Sequence, residues 1–279
     1  MKIVITGAKG QLGTDLVDLL SDKGHKVYGY GREELDITNF DQVHQVISNV
    51  KPDVVIHAAA YTKVDLAESE QDQAFLVNAY GTRNVAVASE AVGAKLVYVS
   101  TDYVFDGAAN TPYNEFSPTN PMSVYGKSKL AGEQFVRDLH SKFFIVRTSW
   151  VYGKNGNNFV KTMLKLAQER DELKVVDDQV GSPTYTVDLA RCILDLIQTE
   201  NYGIYHVSNS GHCSWYEFAK AIFEEAGIEV KVNPCTTKDF PRPAPRPAYS
   251  VMEHMALRLN GFTEMPNWRD SLKRYLKNN

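Results

Sequence analysis

The sequence predicts an α/β fold in which a doubly wound parallel sheet is joined by a second, smaller α/β lobe. Short apolar segments alternate with amphipathic segments through the first half of the 279-residue chain, and a glycine-rich turn follows the first apolar segment. The apolar segments are apolar throughout, which is typical of strands in a parallel sheet covered by helices on both faces. Right-handed crossovers between such strands give the doubly wound arrangement.

The first half of the chain carries the predicted parallel sheet. Each strand is a short apolar run, and each helix shows apolar residues at intervals of three and four. The strands are predicted over residues 3–6, 27–30, 54–58, 96–100 and 143–147, and the helices over 12–20, 74–92 and 123–139. Strands separated by helices indicate consecutive βαβ units.

The second half is less regular. Helices are predicted over 159–168, 187–198, 214–226 and 267–276, and strands over 173–177, as a sixth strand, and 205–207. Ser214 and Glu217 have the spacing of a capping box at the start of one helix. Alternating prolines exclude regular structure over 241–247, because proline lacks an amide donor. We therefore predict a core domain of 1–147 plus 171–206 and a smaller lobe of 148–170 plus 207–279.

Composition excludes several classes of protein. The formal net charge is -4 and there is no basic run, which argues against nucleic acid as a partner. No apolar stretch approaches the ~20 residues of a membrane helix, and the N-terminus lacks the apolar core of a signal peptide. The three cysteines form no Cys-x-x-Cys pair, and the seven histidines show no helical metal spacing. We expect a cytoplasmic protein without a membrane contact or a metal site.

A glycine-rich turn predicts a dinucleotide site of the Rossmann type. Gly7, Gly10 and Gly13 follow a strand and open a helix. Such glycines allow a tight turn and close approach of the backbone to a pyrophosphate, while the helix N-terminus offers free amides and a positive dipole end. The spacing is G-x-x-G-x-x-G, and a turn that serves only helix–sheet packing is the alternative.

The end of the second strand selects the cofactor. Arg32 stands where an acidic residue would bind the ribose hydroxyls of NAD, and its guanidinium suits a 2′-phosphate. We therefore predict NADP(H), while the nearby carboxylates Glu33, Glu34 and Asp36 keep NAD(H) open. Small residues at the end of the third strand let a nucleotide lie against the backbone. The predicted cofactor-binding residues are Gly7, Gly10, Gln11, Leu12, Arg32, Asp36, Ile37, Ala58, Ala59, Ala60, Thr62, Tyr125 and Lys129.

Thr101, Tyr125 and Lys129 form the predicted catalytic set. Thr101 ends the fourth strand, and Tyr125 follows 24 residues later with Lys129 four residues beyond it. Helical spacing puts the phenol and the ammonium on one face. A phenol titrates near ~10, and a nearby cation is expected to lower that pKa. Together with the glycine turn, these residues predict hydride transfer between a nicotinamide and a carbonyl carbon, with Tyr125 moving the proton.

These motifs carry a resemblance to a known family. The sequence resembles the extended short-chain dehydrogenase/reductase superfamily and, within it, the dTDP-4-dehydrorhamnose reductases. The resemblance rests on residues 5–13, 58–65, 100–107, 124–129, 147–153 and 178–184 and covers nearly the whole chain. The glycine and Tyr-x-x-x-Lys motifs belong to the superfamily, whereas the segments around Thr101 and Trp150 are more specific to the reductases.

The resemblance implies reduction of the C4 ketone of dTDP-4-dehydro-L-rhamnose by NAD(P)H, the last step of dTDP-L-rhamnose synthesis. It implies that Thr101, Tyr125 and Lys129 do the chemistry and that Tyr103 and Trp150 help to hold the sugar. An aromatic face suits the C–H groups of a sugar ring, so stacking on Trp150 is expected. The substrate-binding residues implied are Thr101, Asp102, Tyr103, Trp150, Gln179, Arg242 and Arg246.

Two details separate this chain from related branches. Nucleotide-sugar dehydratases usually have Thr-Asp-Glu where this chain has Tyr103 after Thr101-Asp102, which favours reduction over dehydration. Arg242 and Arg246 lie in the proline-rich segment and suit a diphosphate, although Tyr249 stands where many relatives have asparagine, and a stiff surface loop is the alternative.

Three functional and structural questions stay open at this stage. A non-catalytic regulatory subunit resembling that of methionine adenosyltransferase and another nucleotide-sugar epimerase or dehydratase are the alternative functions. The oligomeric state is not fixed by the sequence, and a homodimer is one alternative. The choice between a thymidine and a uridine nucleotide is also open.

Overall fold

The computed structural model describes residues 1–278 and contains a six-stranded sheet in which every pairing is parallel. The strands, in chain order, are Lys2–Thr6, Lys26–Tyr30, Val54–His57, Lys95–Thr101, Phe143–Thr148 and Gly203–His206. The interior positions of the first, third, fourth and fifth strands are almost wholly buried, whereas the edge strand Lys26–Tyr30 is partly exposed. The doubly wound α/β fold predicted from the sequence is confirmed.

The order of the strands creates a crevice at one edge of the sheet. Numbered along the chain, the six strands lie in the spatial order 6-5-4-3-1-2. The chain leaves the first strand towards one side and, after the second strand, crosses back to the other side. Loops at the carboxyl ends of the first and third strands therefore diverge, and a ligand binds in the crevice between them in folds of this kind.

Helices cover both faces of the sheet. Gln11–Asp22 and Thr186–Ile197 pack on one face, where their leucines and isoleucines join a core with residues of the first and third strands. Phe40–Val50, Thr82–Ala91 and Val124–Leu139 cover the other face. The sequence did not predict Phe40–Val50, although Asn39 caps its first turn by accepting from the Gln42 amide.

A long helix predicted over 74–92 is interrupted. Gln71–Phe75 is helical, Leu76–Gly81 forms a π-helical turn, and Thr82–Ala91 resumes the α-helix. Such turns occur often at functional sites. Here the buried Asn78 side chain accepts from the Tyr61 amide at 2.8 Å and donates to the Ser128 hydroxyl at 3.0 Å, so the turn links the third strand's loop to the helix that carries Tyr125.

The smaller lobe has its own core. Helices Phe159–Glu169, Trp215–Ala226 and Trp268–Lys277 enclose aromatic and aliphatic residues that are separate from the two faces of the sheet. Short strand pairs complete it: Val151–Tyr152 with Thr184–Tyr185, Val180–Gly181 with Cys213–Ser214, and Glu172–Val176 with Lys231–Cys235. The capping box predicted at Ser214 and Glu217 is present.

One predicted strand lies elsewhere than expected. Glu172–Val176 does not extend the main sheet but pairs in parallel with Lys231–Cys235, and the sixth strand of the sheet is Gly203–His206. Leu173 and Val175 are buried in the core of the smaller lobe. Apolar residues suit a strand in that core as well as a strand in the main sheet, so the sequence could not distinguish the two positions. Residues 172–176 therefore belong with the smaller lobe, whereas the rest of the predicted division stays a prediction.

A buried ion pair attaches the last helix to the rest of the chain. Arg274 donates to both oxygens of Asp188 at 2.9 and 2.6 Å, and the Ser271 hydroxyl donates to the same carboxylate at 2.6 Å. The Asp188 side chain is 1% exposed. This cluster joins the helix Thr186–Ile197 to the helix Trp268–Lys277. None of its residues belongs to the predicted catalytic or binding sets.

We expect Gly132→Ala to destabilise the fold. A Cβ at Gly132 would lie 2.4 Å from the Tyr98 hydroxyl and 2.5 Å from the Asn78 carbonyl oxygen. Overpacking of this kind costs about 1–3 kcal/mol, which outweighs the ~1 kcal/mol that alanine gains over glycine in a helix. Urea unfolding would measure it, with the exposed Lys127→Ala on the same helix as a control that changes stability by less than about 0.5 kcal/mol. A Gly132→Ala protein more stable than the wild type would contradict the packing argument.

Candidate active site

The glycine turn closes against the third strand. Gly7 has a φ of +72°, and a Cβ there would lie 2.6 Å from the Ala59 nitrogen. A Cβ at Gly13 would lie 2.1 Å from the Gly7 carbonyl oxygen. Both positions therefore require glycine, and the turn brings bare backbone to the sheet edge where the crevice opens.

The helix after this turn begins without a side-chain cap. Gly10 occupies the N-cap position of Gln11–Asp22, no side chain bonds to the free amides, and no acidic residue lies in the first turn. Free amides and the positive end of the helix dipole suit a pyrophosphate. The cradle left by the glycines and the uncapped amides thus fit the dinucleotide predicted from the sequence.

A cleft of about 1100 Å³ runs along this edge of the sheet. Every residue in the predicted cofactor-binding set lines it, from Gly7 at the turn to Lys129 on the later helix. The structure therefore brings the whole set together, although the role of each residue stays a prediction. Lys9, Tyr61, Thr148 and Ser149 also line the cleft and were not predicted.

The loop after the second strand distinguishes Arg32 from its acidic neighbours. Glu34 accepts from Lys9 and from the Gly31 amide, the latter at 2.9 Å. Asp36 accepts from the amide and the hydroxyl of Thr38 at 2.9 and 2.8 Å. Both carboxylates are engaged within the loop, whereas the exposed Arg32 lines the cleft with no ion pair in residues 1–278.

Tyr125 and Thr101 converge from two elements. Thr101 ends the strand Lys95–Thr101, and Tyr125 lies in the first turn of Val124–Leu139, which Ser123 caps by accepting from the Gly126 amide at 3.1 Å. A Cβ at Gly126 would lie 2.2 Å from the Tyr103 carbonyl oxygen, so this glycine lets the helix approach the strand end. The two hydroxyls are hydrogen-bonded.

Asp102 lies directly beside this pair. The Thr101 hydroxyl donates to Asp102 Oδ1 at 3.0 Å, and the Tyr103 amide donates to the Thr101 hydroxyl at 3.3 Å. Burial raises the pKa of Asp102 to about 6, and the hydroxyls of Ser250 and Thr101 act against that rise. Asp102 therefore orients the Thr101 hydroxyl through a hydrogen bond that Thr101 donates.

Lys129 is a buried ammonium beneath the cleft. Its Nζ donates to the Val99 carbonyl oxygen at 2.7 Å and lies 4.1 Å from the centroid of the Tyr98 ring. The residue is 2% exposed. Burial lowers the pKa of Lys129 to about 7, and the Glu133 carboxylate acts in the opposite direction.

The pKa expected for Tyr125 is wrong in direction for this structure. Burial raises the pKa of Tyr125 to about 12, the hydrogen bond with Thr101 works against the rise, and the charge of Asp102 adds to it. Lys129 is not among these causes, because its ammonium is directed to the Val99 carbonyl and the Tyr98 ring. The phenol thus holds its proton more firmly than the sequence argument assumed.

A second cleft of about 390 Å³ adjoins the first. Asp102, Tyr103 and Trp150 line both clefts, and Arg242 and Arg246 line the second. Lys174, Phe159, Met163 and Trp215 also line it and were not predicted. Lys174 and Trp215 lie on elements whose partners are distant in sequence, so no local pattern could mark them.

Two arginines approach one carboxylate in the second cleft. Arg246 Nη2 donates to Asp65 Oδ1 at 2.9 Å, and Arg242 Nη1 lies 4.0 Å from Asp65 Oδ2. Arg246 also lies over the Tyr103 ring at 5.9 Å. Its Nη1 is buried and has no hydrogen-bond partner within residues 1–278. An unsatisfied guanidinium donor of this kind suits an oxyanion ligand.

Trp150 already stacks on another aromatic ring. Trp215 lies on it with centroids 3.5 Å apart and an interplanar angle of 6°. Gly181 lies close to the indole as well, since a Cβ there would be 2.6, 2.7 and 2.8 Å from Cε2, Nε1 and Cζ2. Trp215 therefore occupies one face of the indole, and stacking of a sugar on Trp150 stays a prediction.

Gln179 is a mostly buried member of the predicted substrate-binding set. It is 9% exposed, and its Nε2 donates to the Thr237 hydroxyl at 2.9 Å. It nevertheless lines the second cleft with Arg242 and Arg246. All seven predicted substrate-binding residues therefore lie at one cleft or at both.

The described residues contain neither a candidate membrane-spanning helix nor a candidate metal site. Within residues 1–278, no helix is both long and apolar enough to cross a bilayer. Over the same residues, no group of three or more His, Cys, Asp or Glu side chains could hold a metal ion. His57 is a buried core residue whose ring bonds to Thr6 and Thr82 at 2.6 and 3.0 Å.

Comparison with known proteins identifies full-length relatives. A family model described as the RmlD substrate binding domain matches residues 1–279. A spore coat polysaccharide biosynthesis protein, SpsK, of Bacillus subtilis (strain 168) is 46% identical, over 99% of this chain and 97% of its own. A dTDP-4-dehydrorhamnose reductase of Aggregatibacter actinomycetemcomitans is 44% identical, over 98% and 97%.

Solved structures agree with the sequence comparison. A dTDP-4-dehydrorhamnose reductase of Bacillus anthracis str. Ames, in complex with NADP, matches with a TM-score of 0.98 and 55% identity over 100% of this chain and 99% of its own. A UDP-glucose 4-epimerase of Thermus thermophilus, complexed with NAD, matches with a TM-score of 0.85 at 22% identity over 99% and 98%. The latter likeness concerns the fold alone.

The affinity of this site for a nicotinamide dinucleotide should fall as pH rises through about 7. A pKa of about 7 leaves Lys129 charged below that pH and increasingly neutral above it, and a neutral amine loses its charge-assisted hydrogen bonds. Titration from about pH 6 to about pH 9, followed by nucleotide fluorescence, measures the change across the range in which this lysine titrates. Lys129→Met serves as the control and should bind weakly with no step near neutral pH; a step of equal size in that variant would contradict the assignment to Lys129.

Proposed function

The chain belongs to the RmlD substrate binding domain family, and from this premise we propose that it reduces the C4 ketone of dTDP-4-dehydro-L-rhamnose with NADPH or NADH, giving dTDP-L-rhamnose. It is an NAD(P)H-dependent oxidoreductase, as are its dTDP-4-dehydrorhamnose reductase relatives by name. The observation that carries the proposal is the junction of two clefts at Thr101, Asp102 and Tyr103, with Tyr125 and Lys129 at the same edge.

The hydroxyls of Thr101 and Tyr125 hold the ketone oxygen in the proposed mechanism. A bound NADPH supplies the hydride that reduces the carbonyl carbon. Tyr125 gives its proton to the ketone oxygen as negative charge develops there, and its raised pKa keeps that proton in place until then. Thr101 has a single hydroxyl proton, which it donates to Asp102 in the free protein, and on substrate binding it exchanges that bond for one to the ketone oxygen. Acid assistance of this kind is typically worth ~10²–10⁴-fold.

Lys129 binds the nicotinamide ribose in this proposal. Its ammonium already has one backbone acceptor, the Val99 carbonyl, and retains further donors for ribose hydroxyls. Its burial beneath the cleft excludes water from the charge and strengthens each contact.

Arg242 and Arg246 bind the diphosphate of the dTDP-sugar in this proposal. The unpartnered Nη1 of Arg246 supports this role, because a phosphate oxygen would satisfy it. Asp65 holds the guanidinium of Arg246 in place from the other side. Tyr103 and Trp150 border the sugar between the two clefts, and Gln179 lies with the arginines.

Arg32 selects NADPH over NADH in this proposal. The neighbouring carboxylates Glu34 and Asp36 are bound within their own loop, which leaves Arg32 as the group that meets the adenosine ribose. The relative solved with NADP supports the choice of this cofactor. NADH, which lacks the 2′-phosphate, remains a usable alternative because the remaining contacts do not depend on that group.

The two predicted lobes divide the work in this proposal. Residues 1–147 with 177–206 hold the dinucleotide, and 148–176 with 207–279 hold the nucleotide sugar. A cytoplasmic location fits the three free cysteines, of which Cys192 and Cys213 are buried. Whether the protein is a homodimer, as the sequence left open, is a matter for sedimentation.

The decisive experiment is loss of NADPH absorbance with dTDP-4-dehydro-L-rhamnose. Turnover, run in parallel with NADH and with the UDP-linked sugar, supports the reductase and reports both preferences. No turnover, together with NAD retained through gel filtration, would instead point to an epimerase or a dehydratase that recycles its nucleotide. No turnover together with stable capture of a methionine adenosyltransferase would point to the regulatory alternative.

Tyr125→Phe should lower kcat by about 10²-fold or more while NADPH still binds. The change removes the acidic proton but keeps the aromatic ring and its edge contact with Tyr103, whose centroid lies 5.5 Å away. Turnover and nucleotide fluorescence give the two readouts. Tyr113→Phe removes a hydroxyl from a tyrosine that lines neither cleft and serves as the matched control. Wild-type turnover in Tyr125→Phe would exclude Tyr125 as the acid.

Arg32→Ala should weaken NADPH by about tenfold and leave NADH within about twofold. A charge-assisted contact to the 2′-phosphate contributes roughly 1.5–3 kcal/mol, and NADH has no such group. Dissociation constants for both nucleotides test this, with the nearby exposed Arg83→Ala, outside the cleft, as the control. Equal weakening of NADPH and NADH would refute the role of Arg32.

A further inference from the structure

A buried carboxylate–guanidinium pair lies directly behind the catalytic residues. Glu133 Oε1 accepts from Arg147 Nε at 3.0 Å and Glu133 Oε2 accepts from Arg147 Nη2 at 2.7 Å. The Ser100 hydroxyl donates to Glu133 Oε1 at 2.6 Å. The side chains of Glu133 and Arg147 are 2% and 3% exposed, so the contact is bidentate and almost entirely withdrawn from water.

Stability alone is a weak explanation for this pair. Removing two charges from water costs as much as their attraction returns, and well-packed apolar residues often stabilise such a position equally well. The position of the cluster is more informative. Ser100 precedes Thr101 in the fourth strand, Glu133 follows Lys129 by one helical turn, and Arg147 lies in the fifth strand next to Thr148 at the cleft.

We propose that Glu133, held by Arg147 and Ser100, is a positioning residue that fixes the separation between Thr101 and the Tyr125–Lys129 face of the helix. This inference rests on the proposed reductase function and deepens it. One carboxylate binds the strand that ends in Thr101 and the strand that leads to Trp150, while its own backbone belongs to the helix of Tyr125. The three elements that meet at the ketone are therefore joined through Glu133.

The strand and the helix are hydrogen-bonded at three successive strand residues, the first of which is Tyr98, whose hydroxyl donates to the Lys129 carbonyl oxygen at 3.2 Å. The Lys129 ammonium on the helix donates to the Val99 carbonyl oxygen of the strand. The Glu133 carboxylate on the same helix accepts from the hydroxyl of the next strand residue, Ser100. Displacement of the helix by a fraction of an ångström would break the Ser100 bond and separate the Tyr125 and Thr101 hydroxyls. A displacement of about 1 Å at reacting groups can cost about 10²-fold in rate.

Burial lowers the pKa of Lys129, and the charge of Glu133 acts against this fall. The titratable groups that face Lys129 are Glu133 on its own helix, His57 from the third strand and Tyr98 from the fourth. Burial, and secondly the charge of Lys129, lowers the pKa of His57 to about 3, so His57 is neutral. Glu133 is thus the carboxylate whose charge favours the protonated form of Lys129.

Arg147 has no competing carboxylate in the described chain. Its Nη1 lies 3.5 Å from His206 Nε2 and its guanidinium lies 5.3 Å from the Phe105 ring centroid. Burial, together with the charge of Arg147, holds the pKa of His206 well below its usual range, so this ring carries no charge. Among the carboxylates of the described chain, Arg147 therefore pairs with Glu133 alone.

The chain offers a matched control. Asp188, Arg274 and Ser271 form a similar cluster, a buried carboxylate bound by a guanidinium and a hydroxyl, where the smaller lobe meets the helix Thr186–Ile197, although Arg274 is 37% exposed and Asn209 also donates to Asp188. If such clusters serve stability only, their removal should have the same consequences in both places. If Glu133 positions the reacting groups, only its own removal should change catalysis.

The test compares Glu133→Gln with Asp188→Asn, and Glu133→Gln/Arg147→Met with Asp188→Asn/Arg274→Met. The Glu133 variants should lose on the order of 10²-fold in kcat with KM changed by less than about threefold. The fall in NADPH affinity with rising pH should begin at lower pH, because Lys129 loses the carboxylate that favours its charged form. The Asp188 variants should show lower unfolding midpoints with unchanged kcat and an unchanged pH profile.

Ser100→Ala is a milder third variant that leaves the ion pair intact. It should lower kcat by about tenfold without moving the pH profile, because only the link to the strand of Thr101 is lost. Equal losses of kcat in the Glu133 and Asp188 variants, or wild-type kcat in both Glu133→Gln/Arg147→Met and Ser100→Ala, would overturn the proposal.

The pH dependence of NADPH binding needs no sugar turnover and separates two failures. A wild-type protein that binds NADPH but does not reduce the sugar would contradict the proposed function, while the shift in the binding profile of Glu133→Gln would still test the link to Lys129. A reductase whose Glu133 variants bind and turn over like the wild type would contradict only the role of Glu133.

Discussion

Parallel strands end at the same edge of a sheet, and this constraint brings together everything that the proposed chemistry needs. The glycine turn follows the first strand, the small residues of the nucleotide cleft follow the third, and Thr101 ends the fourth. No two of these are close in sequence. Because the strand order reverses between the first and third strands, their loops diverge and leave a crevice at that edge. The smaller lobe then needs only to cover one end of the crevice to form a second cleft for the sugar.

Burial of charge is the second theme of this edge. An ammonium, a carboxylate and a guanidinium lie within one layer beneath the cleft, at Lys129, Glu133 and Arg147. Each is satisfied by a specific partner, since an unpaired charge at that depth would be far more costly. The result is a floor withdrawn from water, in which the pKa of Lys129 falls to about 7 while that of Tyr125 rises to about 12. The phenol and the ammonium thus have opposite shifts with one cause, the loss of solvent.

The smaller lobe contributes shape and charge to the second cleft. Trp150 stands at the boundary of the two clefts with a φ of +46°, an uncommon value for a residue with a side chain. Trp215 stacks on its indole and Gly181 lies against it, so this side chain is held in place. Across the cleft, Asp65 restrains Arg246 without satisfying all of its donors. The cleft is therefore rigid on its aromatic side and has unused hydrogen-bonding capacity on its basic side.

The sequence by itself determined the parallel α/β class, the glycine turn and the Thr101, Tyr125 and Lys129 set, because these depend on local patterns: apolar runs, helical spacing and residues that permit close backbone approach. The residues that it assigned to the cofactor and the substrate all line the clefts, whereas Lys174 and Trp215 also line the second cleft and were not predicted. Only the tertiary structure decided that residues 172–176 pair with Lys231–Cys235 and not with the main sheet, since an apolar strand suits either core. Only the structure showed that Trp215 stacks on Trp150 and that the pKa of Tyr125 is raised. Burial and stacking depend on which distant segments come together, and neither leaves a mark in the local sequence.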